Sequence, residues 1–321
     1  MLREETQPAL DLPEIGGRSY WAISLSRLLR KKIGVTCLSI ILLMYGAGIL
    51  APLVTPYGYN DQNLAIAKQG PSISHPFGTD RLGRDILTRI IYGLRTTVII
   101  TVVTLVTGSL ALGITLGLLA GYFGKLIDTL IMRVGEVTSS FPEIFLVLII
   151  VSTIKAPITD WVRGVEDTIG IEIVSLGVVD YLVLSLALAI FSWFGMARLV
   201  RGQVLQAREN QYVEAARSVG CSTPRILLKH VLPNVMGPVI VLVSAGLAGI
   251  AGSEIFLSFL GIGIQPPTPS LGLMIFENGS ISVLRSNPHL LLFPVGTLSL
   301  LLFTFNLLGD AVNDSFNPRA R

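Results

Sequence analysis

Apolar residues along this chain fall into six long runs that are separated by more polar stretches. Each run is close to, or longer than, the roughly 20 residues that a helix needs to cross about 30 Å of hydrocarbon. Because backbone N–H and C=O groups cannot stay unpaired in lipid, we expect every run to be helical. The runs cover residues 33–54, 97–121, 136–155, 179–200, 235–262 and 290–309. The pattern therefore predicts an all-α, polytopic membrane helix bundle with six transmembrane helices.

The composition agrees with a membrane protein and excludes several other classes. Of the 321 residues, 51% are hydrophobic and only 14% are charged, which is too apolar for a water-soluble surface. A formal net charge of +3 is too small to indicate a nucleic-acid-binding protein. Two cysteines lie far apart and three histidines are scattered, so we expect neither a disulfide framework nor a metal site. These residues are Cys37, Cys221, His75, His230 and His289.

The basic residues predict how the bundle is oriented, because Lys and Arg concentrate in cytoplasmic connections. If the N-terminus lies inside, the cytoplasmic connections carry more Lys and Arg than the external ones. We therefore predict that both termini are cytoplasmic, with tails over residues 1–32 and 313–321.

Two connections that this orientation places outside the membrane have recognisable features. Residues 85–94 repeat apolar positions at helical spacing, which is typical of a short amphipathic helix. This helix could lie on the outer membrane surface or could pack against the other spans. Residues 156–178 contain four acidic residues and are expected to form a loop, whose function the sequence does not indicate.

Small residues recur four positions apart within two of the spans, a spacing that lets helix backbones approach closely. They are Gly113, Gly117 and Gly121 in the second span and Ala245, Gly249 and Ser253 in the fifth. We expect both sets to form helix–helix contacts.

The connection between the fourth and fifth spans is the most informative segment. Residues 206–219 favour a helix, with Tyr212, Ala216 and Val219 on one face and Glu214 within reach of Arg217. A helix-turn-helix with basic residues could suggest DNA binding. However, membrane spans at both ends leave no room to enter a major groove.

Turn-forming residues predict where the helices of this connection end. Gly220 can take the left-handed conformation that ends a helix. Thr223 can cap a second helix that has Pro224 in its first turn. Pro233 is expected to end that second helix where the fifth span begins.

These same residues carry a family resemblance. Glu214-Ala215-Ala216, Gly220 and Leu232-Pro233 match the spacing of the EAA loop of ABC importer permeases, EAA-x3-G-x9-I-x-LP. His230 replaces the Ile of that pattern, as is usual in the peptide and nickel branch. Further stretches similar to C-type permeases of that branch lie at residues 76–85, 128–133, 197–203, 257–270 and 305–310. The chain resembles a C-type permease of the peptide/nickel importer family.

The resemblance implies a fold, a set of partners and a class of cargo. It implies the type I importer (MetI-like) fold, with a first helix and external loop over 33–95 and the permease domain over 96–312. It further implies a second permease subunit, two cytoplasmic ATP-binding subunits and an external solute-binding protein, in the inner membrane of a prokaryote. The second permease subunit is expected to be a related B-type chain, and a homodimer is the alternative. The implied cargo is a peptide or a related small solute, nickel chelates among them.

The resemblance also assigns a role to the connection at 201–234. Its EAA helix is implied to couple the bundle to an ATPase subunit, through Tyr212, Glu214, Ala215, Ala216, Gly220, Leu232 and Pro233. No G-x-x-x-x-G-K-[ST] phosphate loop occurs in this chain, so ATP and Mg are expected to bind the partner subunits. We therefore expect a transmembrane subunit without cofactor or catalytic residues of its own.

Two further features invite a functional interpretation. Glu254 lies within the fifth span, where a charge costs roughly 2.5–3.5 kcal/mol on insertion scales, so it should face protein or a water-filled path. It could line the substrate route or make a structural hydrogen bond to a neighbouring helix. Beyond that span, Gln265, Pro266 and Pro267 open a proline-rich reversal. By resemblance this reversal meets the binding protein, and the alternative is a passive loop.

Other kinds of membrane protein fit the sequence less well. A secondary transporter driven by an ion gradient is the main alternative, but the spans show no clear internal repeat and six helices would be few. A membrane enzyme is less consistent, because no nucleophile, base and orienting group gather within one span.

Overall fold

A computed structural model describes residues 20–170 and 174–316, and all regular elements in these ranges are helical. Six of the helices are long and apolar enough to cross a membrane, which confirms the predicted number. In chain order these spans are Lys32–Ile49, Ile86–Phe123, Glu143–Thr168, Val178–Ala207, Thr223–Phe259 and His289–Phe316. We refer to them as the first to the sixth span.

Shorter helices connect and flank the spans. They are Tyr20–Arg30, Ala51–Val54, Lys125–Ser139, Gln211–Ser218, Leu271–Asn278 and Ile281–Ser286, together with a 3₁₀ turn at Leu64–Ile66. The first of them lies in the predicted N-terminal tail, where Leu28 joins an apolar cluster with Ala311 of the sixth span. Residues 1–19 and 317–321 of the two predicted tails lie outside the described ranges.

The second span is longer than predicted and absorbs the amphipathic segment at 85–94. Ile86, Ile90 and Leu94 are buried in a cluster with the first, fifth and sixth spans. The interpretation as a helix on the membrane surface was therefore wrong, and packing against the other spans is confirmed. Amphipathic spacing alone could not separate the two, because a lipid surface and a protein core select the same periodicity.

The third span is broken where a continuous span was predicted over 136–155. A helix at Lys125–Ser139 stops before Pro142, and a new helix begins at Glu143. Proline disfavours helical backbone in the residue before it, which explains the break. The second helix continues to Ile169, so most of the loop predicted at 156–178 is helical.

The glycines of the second span form a close helix–helix contact, as predicted, and the structure shows that the partner is the fourth span. A Cβ atom on Gly113 would lie 2.6 Å from Met196 Cβ, and one on Gly117 would lie 2.7 Å from the Ala197 carbonyl oxygen. Real Cβ atoms do not approach so closely, so these positions require glycine. At such a seam, dispersion contacts hold helices together where lipid offers no hydrophobic drive.

The small residues of the fifth span behave differently from one another. Ala245 packs against Gly309 of the sixth span. A Cβ atom built on Gly309 would lie 3.2 Å from Ala245 Cα. Gly249 has nothing within 4 Å of such an atom. Together with Ser253 it lines a cavity. The predicted contact is thus confirmed for Ala245 and was wrong for Gly249.

An ion-pair network fixes the connection between the first and second spans. Asp80 Oδ2 lies 2.7 Å from Arg84 Nε and 2.5 Å from Arg89 Nη1, and all three side chains are buried. The backbone N–H groups of Leu82 and Arg84 donate to Asp80 Oδ1 at 2.8 and 3.0 Å. Burial alone would raise the pKa of Asp80, but the Arg89 charge and the bonds from Arg84 outweigh it and hold the pKa below its ordinary value.

We expect Gly117→Val to destabilise the folded chain by about 1–3 kcal/mol, the usual cost of overpacking a filled contact. The added side chain would meet backbone of the fourth span, which cannot rotate away. Thermal unfolding in detergent measures the effect. Gly296→Val is the matched control in the sixth span, because nothing lies within 4 Å of its Cβ position. Equal loss of stability in both variants would contradict a close backbone contact at Gly117.

We expect Asp80→Ala to cost about 3–5 kcal/mol at neutral pH, because it removes the nearest carboxylate from the buried Arg84 and Arg89 and leaves Arg89 only Glu277, at 3.6 Å. Since the folded pKa of Asp80 is lowered, its contribution is full above about pH 4 and is lost as the pH falls below that value. The difference in unfolding temperature between wild type and variant should therefore become smaller as the pH is lowered from 7 to 3. Asp61→Ala, which removes an exposed carboxylate from the same connection, should change stability little.

Candidate functional site

The EAA helix spans Gln211–Ser218 and is shorter than the predicted 206–219, because the fourth span itself continues to Ala207. Asn210 is extended and separates the two helices. Val213 and Ala216 are buried in one cluster with residues from the ends of the second, fourth and fifth spans. The EAA helix is thus seated on three spans at once.

The buried face of the EAA helix differs from the predicted one. Tyr212, Ala216 and Val219 were expected to share an apolar face, but Tyr212 is 37% exposed and Val219 is 83% exposed. Val213, three residues before Ala216, takes the buried position instead. Glu214 and Ala215 are also exposed, so the outer face of this helix carries Tyr212, Glu214 and Ala215.

Side chains from both ends of the connection bind the end of the second span. The Arg217 guanidinium lies over the Tyr122 ring at 5.1 Å from its centroid, rather than pairing with Glu214. Arg208 Nη1 donates to the Gly121 carbonyl oxygen at 3.2 Å. These contacts hold the EAA helix at a fixed position relative to the bundle.

Gly220 ends the EAA helix in the left-handed conformation that the sequence predicted, with φ +81°. The Cys221 N–H donates to the Ala216 carbonyl at 3.0 Å, and the Gly220 N–H donates to the Arg217 carbonyl at 2.9 Å. This pair of bonds is a Schellman motif, which satisfies carbonyls that the helix end would otherwise leave free. No heavy atom lies within 4 Å of a Cβ built on Gly220, so a substitution there would act through the backbone alone.

The helix that follows starts as predicted but does not end as predicted. Ser222 occupies the cap position that was assigned to Thr223, and it makes no side-chain cap bond. Pro224 lies in the first turn, in agreement with the sequence.

Pro233 does not end this helix, which runs continuously from Thr223 to Phe259. Residues Ile226–Val231, directly before the Leu232-Pro233 pair, form a π-helical segment. A π-helical segment shifts backbone pairing by one residue, which relieves the clash and the missing donor of a following proline. Leu232 is half-buried against the EAA cluster and Pro233 is exposed. The second half of the EAA loop and the fifth span therefore form one continuous helix, which we call the rod.

Glu254 lies in the packed interior between the second and fifth spans and is completely buried. Thr97 Oγ1 donates to Glu254 Oε2 at 2.9 Å, and Ser258 Oγ donates to Oε1 at 3.1 Å. Both carboxylate oxygens are thus satisfied by protein. This arrangement favours the structural hydrogen bond between helices over a role in the substrate route.

A cavity of about 250 Å³ lies between the second, third, fourth and fifth spans. Its polar lining consists of hydroxyl groups and one carboxylate, from Thr104, Ser109, Ser192, Ser253 and Glu143. Glu143 was missed in the sequence, although it lies within the predicted span 136–155. The rule that selected Glu254, an ionisable residue inside a membrane span, would also have found it.

The proline-rich segment reverses the chain after the fifth span, as predicted. The Gln265 N–H donates to Asp180 Oδ2 at 3.1 Å, and Lys155 Nζ lies 2.9 Å from Asp180 Oδ1. Pro266 and Pro267 are exposed beside this anchor. The chain then returns as helix Leu271–Asn278, which packs back against the fifth span.

Comparison with known proteins gives consistent matches over the whole chain. Residues 113–321 match the family described as binding-protein-dependent transport system inner membrane component. Residues 19–71 match the N-terminal TM domain of oligopeptide transport permease C. Among solved structures, a chain of the MetNI methionine ABC transporter in an inward-facing conformation is similar with a TM-score of 0.48 and 19% identity, over 70% of this chain and 96% of that chain.

Curated relatives match over nearly their full length. A dipeptide transport system permease protein of Bacillus subtilis (strain 168) is 34% identical over 321 residues, which is 100% of this chain and 92% of the relative. An oligopeptide transport system permease protein of Escherichia coli (strain K12) is 33% identical over 310 residues, covering 96% of this chain and 94% of the relative. The chain is a multi-pass membrane protein and belongs to the family of inner membrane components of binding-protein-dependent transport systems.

Proposed function

We propose that this chain is the C-type permease subunit of an ABC importer for peptides or a related small solute, and that it forms half of the translocation path. The observation that carries the proposal is the EAA helix, whose inner face is fixed to three spans while Tyr212, Glu214 and Ala215 stay exposed. The names of the dipeptide and oligopeptide permeases that it resembles support a peptide cargo.

The exposed face of the EAA helix would dock in a groove of a cytoplasmic ATP-binding subunit. Ala215 permits close approach, and Glu214 offers a charge to a basic partner. When two such subunits close on ATP and Mg, the docked helix moves with them. Because Val213 and Ala216 fix this helix to the spans, and because Thr223–Phe259 is one rod, the movement reaches the bundle as a rigid-body displacement.

The solute would pass along the cavity that Glu143 and the hydroxyl groups line, with a second permease subunit completing its wall. We expect this second subunit to be of the related B type. Glu254 would hold the second and fifth spans together and would not contact the solute.

The remaining parts of the assembly follow from the same proposal. Both termini and the EAA loop would face the cytoplasm of a prokaryotic cell, with the chain in its inner membrane. The segment with Gln265, Pro266 and Pro267 would then lie outside, exposed to a solute-binding protein. The chain would need no cofactor and catalyse no reaction, because ATP hydrolysis takes place in the partner subunits.

Glu214→Ala and Gly220→Ala should each reduce ATP-dependent uptake at least tenfold in vesicles that contain the complete importer. The first removes the charge on the docking face, and the second strains a backbone at φ +81° and changes the angle between two helices. Glu209→Ala is the matched control, because this exposed acidic residue of the same connection lies outside the motif. Normal uptake by both motif variants, at unchanged membrane levels, would contradict the proposal.

Glu254→Ala should lower stability by about 1–3 kcal/mol, because two buried hydroxyl groups lose their acceptor. Thermal unfolding of Thr97→Val, Glu254→Ala and the double variant forms a double-mutant cycle, and we expect a coupling of about 0.5–3 kcal/mol. Uptake per assembled transporter should not change in Glu254→Gln. A stable Glu254→Gln variant that loses uptake of only some solutes would instead assign Glu254 to the route.

A further inference from the structure

Glu143 is the only ionisable side chain among the described residues that line the cavity. It occupies the first position of the third span, directly after the break at Pro142. The rest of the lining consists of apolar side chains, glycines and the hydroxyl groups of Thr104, Ser109, Ser192 and Ser253. The Glu143 side chain is exposed at the edge of this cavity. A carboxylate within a membrane span is expected to face protein or a water-filled path.

The Glu143 carboxylate lies in the first turn of the helix that starts at this residue. Helix N-termini carry a partial positive charge and stabilise anions in the first turn. Within residues 20–170 and 174–316, however, no basic side chain forms an ion pair with Glu143. By contrast, Glu136 on the preceding helix is paired with Arg133 at 3.0 Å. The cavity lining thus contains a carboxyl group that has no basic partner among the described residues.

Two of the hydroxyl groups around the cavity donate to backbone carbonyls and can therefore act only as acceptors towards a solute. Thr104 Oγ1 donates its proton to the Ser185 carbonyl at 3.2 Å, and Ser109 Oγ donates to the Ser192 carbonyl at 3.3 Å. Each hydroxyl oxygen keeps lone pairs that can accept a hydrogen bond. Gly246 and Gly249 have no heavy atom within 4 Å of a Cβ position, which leaves space beside these oxygens.

An ammonium group fits this arrangement better than any anion or neutral amide. It has three N–H donors and a positive charge, and it accepts no hydrogen bond. We propose that Glu143 and the neighbouring hydroxyl groups form a site for a protonated amine of the transported solute, such as the N-terminal ammonium of a peptide. This inference rests on the proposed function and specifies which group of the cargo the permease itself recognises.

The test uses the complete importer in proteoliposomes, with labelled dialanine and N-acetyl-dialanine as probes. Glu143→Gln should lower kcat/KM for dialanine uptake about tenfold or more, because a charge-assisted hydrogen bond is lost. Glu143→Asp, which keeps the charge, should lose much less. Uptake of the acetylated probe, if the wild type carries it, should be equal in wild type and Glu143→Gln. Glu136→Gln, an exposed carboxylate on the preceding helix, should transport both probes normally.

Restoring a negative charge at position 143 tests the amine site even when the wild type does not transport the acetylated probe. Glu143→Cys should be as slow as Glu143→Gln, and reaction with sulfonatoethyl methanethiosulfonate should restore dialanine uptake. Reaction with trimethylammonioethyl methanethiosulfonate should not. Wild type treated with either reagent controls for Cys37 and Cys221.

The outcomes separate this inference from the proposed function. Normal dialanine uptake by Glu143→Gln, or equal rescue by both reagents, would overturn the amine site and leave the permease assignment intact. Loss of copurification with the partner subunits in Glu143→Gln would assign the carboxylate to assembly and would also overturn it. If the wild-type complex accumulates neither probe nor any other peptide, the proposed cargo itself fails.

Discussion

Close backbone contact between the second and fourth spans is the constraint on which the rest of the structure depends. In lipid, apolar side chains gain little by leaving their surroundings, so helices associate where glycine lets main chains touch. Gly113, Gly117 and Gly121 supply that contact along the second span. The same two helices contribute Leu118, Val200 and Val204 to the apolar cluster in which Val213 and Ala216 of the EAA helix are buried. The position of the EAA helix is therefore a consequence of the glycine seam.

Features that the bilayer imposes on every helix could be predicted from sequence. Run length gave six spans, and glycine spacing identified the seam, because both follow from local composition. Features that depend on neighbouring elements could not be predicted in this way. Whether Ile86, Ile90 and Leu94 contact protein or the lipid surface depends on the spans beside them. Pro233 is accommodated within a helix because a π-helical segment precedes it.

The two intramembrane carboxylates illustrate the same limit within the candidate site. Hydropathy identifies Glu143 and Glu254 equally as charges in apolar runs. Their roles diverge because Glu254 meets hydroxyl groups of Thr97 and Ser258, whereas Glu143 opens a helix beside a cavity. Nothing in the sequence near position 254 indicates that Thr97, which lies 157 residues away, is its partner. The spatial pairing of distant spans had to be observed.

One continuous helix links the parts of the site that the proposed function requires. The rod Thr223–Phe259 begins beside the EAA helix, passes the cavity at Gly246 and Gly249, and reaches Glu254 near its far end. The bond from Thr97 to Glu254 ties that far end to the second span, while the near end is seated on the EAA cluster. A displacement of the EAA helix would therefore tilt the rod about its far end. The displacement would be largest beside the EAA helix and smaller towards Glu254, and it would include Gly246 and Gly249 in the wall of the cavity.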